Sequence, residues 1–247
     1  MVTVAAALLS GCVGGLNLET TIDEVRVVAV VSEPPEVSTG ETVGVQITVA
    51  DPLGESPEAW LWTCPADPSS PCSEPSAVAL VDEQGTVEVT VGDAEGAQSV
   101  WTLACVPGLC DPTSWSAADR LDPSDRLAEL PVSGVSAARS SIVVSTRPEG
   151  ERNANPVVVG GDEPIVVDTD GVALLSLEAV DDEDLEVFPY ASAGGFERVR
   201  VPVIDGQVEL GFVGSVDPAK GWIYVVVVDG AGGTALWRQS VIVRAAS

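Results

Sequence analysis

Histidine is missing from all 247 residues. Its absence excludes a Ser-His-Asp triad, a Cys-His pair and every His-ligated zinc or iron centre. Lysine is nearly missing as well: Lys220 is the single copy, and no motif around it supports a Ser-Lys mechanism. Basic residues number 11 against 38 acidic ones, a formal net charge of -27. Without Lys/Arg clusters the chain cannot neutralise phosphates, which excludes nucleic acid as a partner and electrostatic docking on anionic lipid. Long hydrophobic runs are also lacking. A membrane-crossing helix needs about 20 apolar residues, and the opening run at residues 2–9 falls well short of that. The plainest account of the acidity is a heavily solvated surface suited to a salty medium, where screening weakens self-repulsion. It leaves open divalent cation binding and two-carboxylate hydrolysis, the latter needing an acid pair roughly 5 to 9.5 Å apart in one cleft. Carboxylate abundance does not place such a pair, so the chain reads as no enzyme.

What is present is apolar enough to fold, with 45% hydrophobic residues and a mean hydropathy of +0.28. The length suits two domains of about 100 residues each. Period-two alternation dominates: Val43, Val45, Ile47 and Val49 alternate with Gly44, Gln46, Thr48 and Ala50, and Val87, Val89 and Val91 recur in the same way. These are half-buried antiparallel strands. Sliding the sequence along itself shows a repeat. EPPEVSTGETVGVQITVAD from Glu33 aligns without a gap to EPIVVDTDGVALLSLEAVD from Glu163, and the same offset sets Trp60 on Tyr190, where an Ig-like strand C carries its core aromatic. GTVEVTV, VWTLACVPG and SIVV match GQVELGF, WIYVVVVDG and VIVR further on. Seven or so short strands per copy, punctuated by Pro, Gly and Asp, predict an all-β fold of two tandem Ig-like or fibronectin III-like sandwiches. Strands are expected near 25–31, 42–50, 58–64, 86–92, 99–106 and 140–146 in the first copy, residues 24–146. A polar linker at 147–155 leads to the second copy, residues 156–247.

The short run before Cys12 has the length of a signal-peptide h-region. Leu9, Ser10, Gly11 and Cys12 resemble the lipobox of bacterial lipoproteins, although no Lys or Arg precedes the run. That resemblance implies a signal peptide at 1–11, a diacylglycerol thioether on Cys12, a tether at 12–23, and anchoring to the outer membrane of a bacterial cell envelope, on its periplasmic or surface face. Two acyl chains are roughly what stable anchoring requires. VVVVDGAGGTALWRQSVIV and VVAVVSEPPEVSTGETVGVQITVADP are similar to the last and first strands of Ig-like domains in bacterial surface lipoproteins, including those of myxobacterial type. The resemblance implies exported, tandem sandwich modules and no particular ligand; with no catalytic motif in the chain, the leading reading is a non-enzymatic envelope protein whose modules bind a protein or glycan partner or contribute to envelope architecture.

The repeat isolates an asymmetry. A short turn joins the last two strands of the second copy, whereas residues 107–139 separate those of the first. So long a loop is uncommon in a compact domain. It holds Cys110, Trp115 as an exposed aromatic, and a short helix with Asp122 at its N-cap, Pro123 at its first position and Leu127 and Leu130 on one side. It reads either as a partner-binding loop or as a cap over an open sandwich edge. Cys64, Cys72, Cys105 and Cys110 are an even number in an exported chain, so two disulfides are expected. Strands C and F of an Ig-like sandwich are antiparallel and put Cys64 and Cys105 at opposite ends, which favours the local pairs Cys64–Cys72 and Cys105–Cys110. No cofactor is required, although calcium has one candidate site. The linker is similar to the Asn-rich junction of cadherin repeats, with Arg152 and Ala154 standing where that junction carries aspartates. Glu151, Asn153, Asn155, Asp181, Asp182, Asp184 and Asp229 could supply the oxygens of which calcium takes about six to eight; a solvated charge run is the alternative.

Overall fold

The computed structural model describes residues 20–54, 56–64, 75–76, 78–82, 84–131, 134–169, 171–180 and 184–246. The first module contains β1 (Arg26–Glu33), β2 (Glu36–Val37), β3 (Thr42–Ala50), β4 (Glu58–Cys64), β5 (Ala79–Leu80), β6 (Thr86–Thr90), β7 (Gly96–Cys105) and β8 (Val135–Val144). They form one sheet ordered β1-β3-β6 and a second ordered β2-β8-β7-β4-β5. The second module contains β9 (Val157–Val159), β10 (Ile165–Asp168), β11 (Val172–Val180), β12 (Leu185–Ala191), β13 (Gly194–Phe196), β14 (Val201–Pro202), β15 (Gln207–Gly214), β16 (Ala219–Asp229) and β17 (Thr234–Arg244). Its sheets run β13-β15-β11-β9 and β10-β17-β16-β12-β14. Both modules are therefore Ig-like or fibronectin III-like sandwiches in tandem. In each, a short strand near the start, β2 or β10, pairs in parallel with the last long strand. Every other ladder within the sheets is antiparallel.

Alternation along each strand fills the space between its two sheets. Val43, Val45 and Ile47 of β3 face Leu61, Val100 and Ile142 in the first core. Leu175, Leu177 and Ala179 of β11 face Val187, Val225 and Val227 in the second. Burying a Val, Leu or Ile side chain contributes roughly 1.5–3 kcal/mol, and the two cores hold 14 and 12 such residues.

A third cluster joins the modules. Val28 and Ala29 of β1, Ala50 of β3 and Ile22 from the entering chain pack on Phe188, Tyr190, Tyr224 and Val226, which are the outward positions of β12 and β16. The register of β1 against β3 shifts between Val27 and Ala29, a bulge that lets both Val28 and Ala29 join this seam. Strands covered on both faces read as continuous apolar runs rather than alternating ones. That is the pattern of residues 27–31 and 223–228, and it signals the seam in the sequence itself.

The seam also corrects the expectation for Trp60 and Tyr190. The repeat does put them at equivalent points of strand C, but on its outer face. Leu61 and Ala191, the residues that follow them along the strand, face the sandwich interiors. Tyr190 lies in the inter-module seam and Trp60 lies in a separate tryptophan cluster.

Candidate functional site: the covered sheet faces and the inter-module junction

Both modules present an apolar outer face on the sheet built from their strands C, F and G, and each covers it differently. In the second module, β1 of the first provides the cover. In the first, the insertion does so. Among the residues of that insertion, Asp111 caps a 3-10 turn at Pro112–Ser114, and two short helices follow, α1 (Ala117–Leu121) and α2 (Ser124–Glu129). Ser116 caps α1 through a reciprocal box with Asp119: its hydroxyl accepts from Asp119 N–H at 3.2 Å, and its own N–H donates to the Asp119 carboxylate at 2.9 Å. Trp115 is half-buried rather than exposed, because it stands edge-on to Trp62 at a ring separation of 6.0 Å. Trp62 is 1% exposed, stacks on Trp101 at 6.3 Å, and donates its indole N–H to Arg120 O at 2.9 Å. Leu127 joins this cluster. The helix expected to start at Asp122 begins one residue later, after Pro123. Asp122 closes α1 and accepts from Ser124 N–H at 3.1 Å, which with the Ser124 hydroxyl lowers its pKa. Leu130 is half-buried at the end of α2. The insertion thus covers a sheet face, not an edge.

Cys105 ends β7 and is disulfide-bonded to Cys110, with 6.1 Å between their Cα atoms, so the bond pins the start of the insertion. Cys64 is disulfide-bonded as well; its expected partner Cys72 lies outside the described residues. Glu58 pairs with Cys105 and Cys64 with Ser99, so Cys64 and Cys105 stand at opposite ends of the β4-β7 ladder. Cys12 lies outside the described residues.

At the junction the linker is a hydrogen-bonded clasp. Glu36 has a fully buried side chain; it accepts from Asn153 N–H at 2.7 Å, from the Ser145 hydroxyl, and from the Arg147 guanidinium at 2.8 Å. Desolvation pushes the Glu36 carboxyl up, but these three donors together outweigh it and hold the pKa below its ordinary value of 4.5. Asn155 donates to Ser32 O at 2.8 Å and to the Glu33 carboxylate at 2.7 Å, while its own oxygen accepts from Thr234 N–H at 2.8 Å. Asp229, 9% exposed, accepts from Ala231 N–H at 2.8 Å and Gly233 N–H at 2.7 Å through one oxygen, and from the Asn153 amide at 3.0 Å through the other. Gly233 is required here, because a Cβ would run into both the Asp229 carboxylate and Ala154 O at 2.8 Å.

The proposed calcium ligands are accordingly divided. Asn153 and Asp229 meet, but as donor and acceptor. Asn155 is engaged with both modules, Glu151 and Asp184 are exposed, and Asp181 and Asp182 lie outside the described residues. Among the described residues no group of three or more acidic or Cys side chains is arranged to hold a metal ion.

A cavity of about 70 Å³ lies beside the clasp, lined by Ser32, Ser140 and Asp229 among others. Ser32 and Ser140 hydroxyls are buried without a partner among the described residues, so the cavity is polar enough to hold water. The Tyr190 hydroxyl in the seam is likewise without one, and burial pushes its pKa up to about 12 against a smaller opposing pull from Arg26. Arg26 lies 5.9 Å from the Tyr190 ring centroid. Sequence reasoning missed Glu36, Phe188 and Tyr224 altogether.

No family model and no curated protein matches the chain. Among solved structures it is similar to trypsin-activated alpha-2-macroglobulin from Escherichia coli, at 14% identity and a TM-score of 0.29, over 93% of this chain and 18% of that one. It therefore spans under a fifth of that protein. It is also similar to a chimeric titin Z1Z2 tandem, at 11% identity and a TM-score of 0.32 over 92% and 98% of the two chains. The D0-D1 domain of intimin matches at 10% identity and a TM-score of 0.28, over 93% and 99%. Likeness at this level carries no argument, and the fold assignment rests on the strand order and pairing above. No helix among the described residues is long and apolar enough to cross a membrane. The architecture is that of two tandem Ig-like or fibronectin III-like β-sandwiches.

Proposed function

We propose that the chain is a lipid-tethered, non-enzymatic element of a bacterial cell envelope, a binding or structural module pair that acts as one stiff unit. The observation that supports this most directly is the seam, in which Val28, Phe188, Tyr190 and Val226 of two modules form a single apolar cluster. A linked pair of independent modules would leave those side chains in water. The chain entering the first module is held by the second, since Ile22 N–H donates to Ala191 O at 2.7 Å and Ala191 N–H to Thr20 O at 2.8 Å. Residues 12–20 can span at most roughly 30 Å when extended, so a lipid on Cys12 would keep that end of the pair close to the membrane.

Growth with an alkyne-bearing palmitate, followed by click labelling, tests the anchor. Label and membrane association should be present in the intact chain and absent from Cys12→Ser. An unlabelled intact chain would refute it. The clasp is satisfied by protein donors, so this reading requires no ion. Millimolar calcium against EDTA should leave the unfolding midpoint unchanged. A rise abolished by Asp181→Asn with Asp182→Asn would instead make the junction calcium-stiffened.

A further inference from the structure

The outer face of the second module carries an open strand edge beside a groove. β13 covers the free edge of β15 only at residues 212–214. At the other end of β15, Ile204 and Gln207 exchange backbone hydrogen bonds of 2.9 and 3.0 Å across a tight turn. Between them, Gly211 O accepts from Glu197 N–H at 3.3 Å. Gln207 and Gly211 thus aim their main-chain groups away from β11. Glu209 lies two residues from each and shares their phase in the pleat. Its N–H and C=O therefore face the edge of β15 away from β11, where among the described residues no strand pairs with residues 208–210.

A cavity of about 470 Å³ opens at that point, with Leu174, Phe196, Pro202 and Ile204 as its apolar part and Glu197 and Glu209 as its acids. Leu174 is 68% and Ile204 is 65% exposed. The internal repeat shows that this is particular to the second module: Val172 and Leu174 stand where the first has Thr42 and Gly44. Gly211 brings an acid to the groove, since a Cβ there would sit 3.1 Å from a Glu197 carboxylate oxygen. Neither Glu197 nor Glu209 forms an ion pair among the described residues. Arg198 at the rim offsets one of the two charges.

We infer that this groove docks an extended, basic segment of a partner protein, which adds a strand to β15 at Glu209 and sets Lys or Arg side chains against Glu197 and Glu209. Strand addition takes affinity from main-chain hydrogen bonds and specificity from alternate side chains, and the groove offers both. A second copy of this chain fits poorly, because 38 acidic residues against 11 basic ones would approach two further carboxylates. The inference rests on the envelope-display reading only for where the partner meets the chain, not for the docking itself.

The probe is a fluorescein-labelled nonapeptide alternating lysine and valine, with proline at both ends to block self-assembly, titrated into the intact chain by fluorescence anisotropy. Expected is a Kd below about 100 µM, the range of a modest peptide site. It should weaken at least tenfold in the double variant Glu197→Gln with Glu209→Gln and at least tenfold for a peptide N-methylated on its β15-facing residues. Amide exchange at Glu209 should slow on binding. Glu58→Gln with Glu88→Gln, exposed acids of the first module, should leave the affinity unchanged. The inference is overturned by absence of binding, by equal affinity for the N-methylated peptide, or by equal losses in the two double variants, which would signify charge attraction alone. Failure of palmitate labelling would leave this result untouched.

Discussion

Phe188→Ala separates a shared core from two independent modules. Phe188 points outward from β12, so on an isolated sandwich it would meet solvent, and surface truncations cost at most about 0.5 kcal/mol. In the intact chain it is only 3% exposed, because β1 of the other module covers it. Truncating a buried phenylalanine removes its transfer energy and leaves a cavity, together about 3–5 kcal/mol. The assay is urea unfolding of the full chain, followed by intrinsic fluorescence and by amide exchange. The midpoint should fall by the equivalent of about 3 kcal/mol or more, and protection in β1, a strand of the other module, should fall with it. Leu174→Ala, of similar size in the same module but 68% exposed, should change stability by no more than about 0.5 kcal/mol. A Phe188→Ala cost below about 1 kcal/mol, with β1 exchange unaltered, would refute the seam.

Glu36→Gln removes the negative charge and one of the two acceptor oxygens at the clasp and should cost about 1.5–3 kcal/mol at pH 7. Because the folded pKa of Glu36 is depressed, its contribution is fully present above 4.5 and is lost as pH falls below it through the folded value. Denaturation midpoints of the two proteins measured against pH should therefore converge in that acid window, and a constant gap would show that the carboxylate's charge is not what counts. Trp115→Ala uncovers Trp62; about half the 3–5 kcal/mol of a fully buried tryptophan is expected, with loss of the near-ultraviolet circular dichroism of the stacked Trp62 and Trp101. An unchanged spectrum would mean that the insertion does not cap this face. Replacing Cys105 and Cys110 together by Ala opens a loop of sequence separation 5, which the chain-entropy account values at roughly 2 kcal/mol. Proteolysis within residues 106–134 should accelerate while cleavage in the second module stays unchanged, and equal acceleration in both modules would argue against a local role.

Much of this architecture was legible before any coordinates. Alternation in residues 43–50 and 87–91 depends only on the pleat of a strand with one wet face, and it located the strands because that pattern is local. The repeat between residues 33–51 and 163–181 showed two copies of one sandwich, since equal strand spacing demands equal folds. Even the seam left a trace: residues 27–31 and 223–228 do not alternate, as befits strands with no wet face. What covers those strands was not legible. Trp60 and Tyr190 occupy equivalent positions of equivalent strands, yet a helical insertion covers one and a neighbouring module the other. Likewise Asn153, Asn155 and Asp229 read as cation ligands from their chemistry alone, and only their placement made Asn153 a donor to Asp229 and tied Asn155 to Ser32, Glu33 and Thr234. Glu36 gave no signal, because its burial depends on Ser145, Arg147 and Asn153, which lie more than a hundred residues later in the chain. The open edge at Glu209 is also non-local, since it exists where the chain after β13 departs for the opposite sheet. Sequence determined the long strands and their alternation, because both follow from neighbours along the chain, whereas short strands such as β2, β5, β13 and β14 carry too few residues to show a period. Tertiary structure alone decided which faces are covered, which acids are satisfied and which edge stays open, because those depend on partners that are not neighbours along the chain, from 58 residues away for the cover on Trp62 to 117 for the Asn153 bond to Glu36.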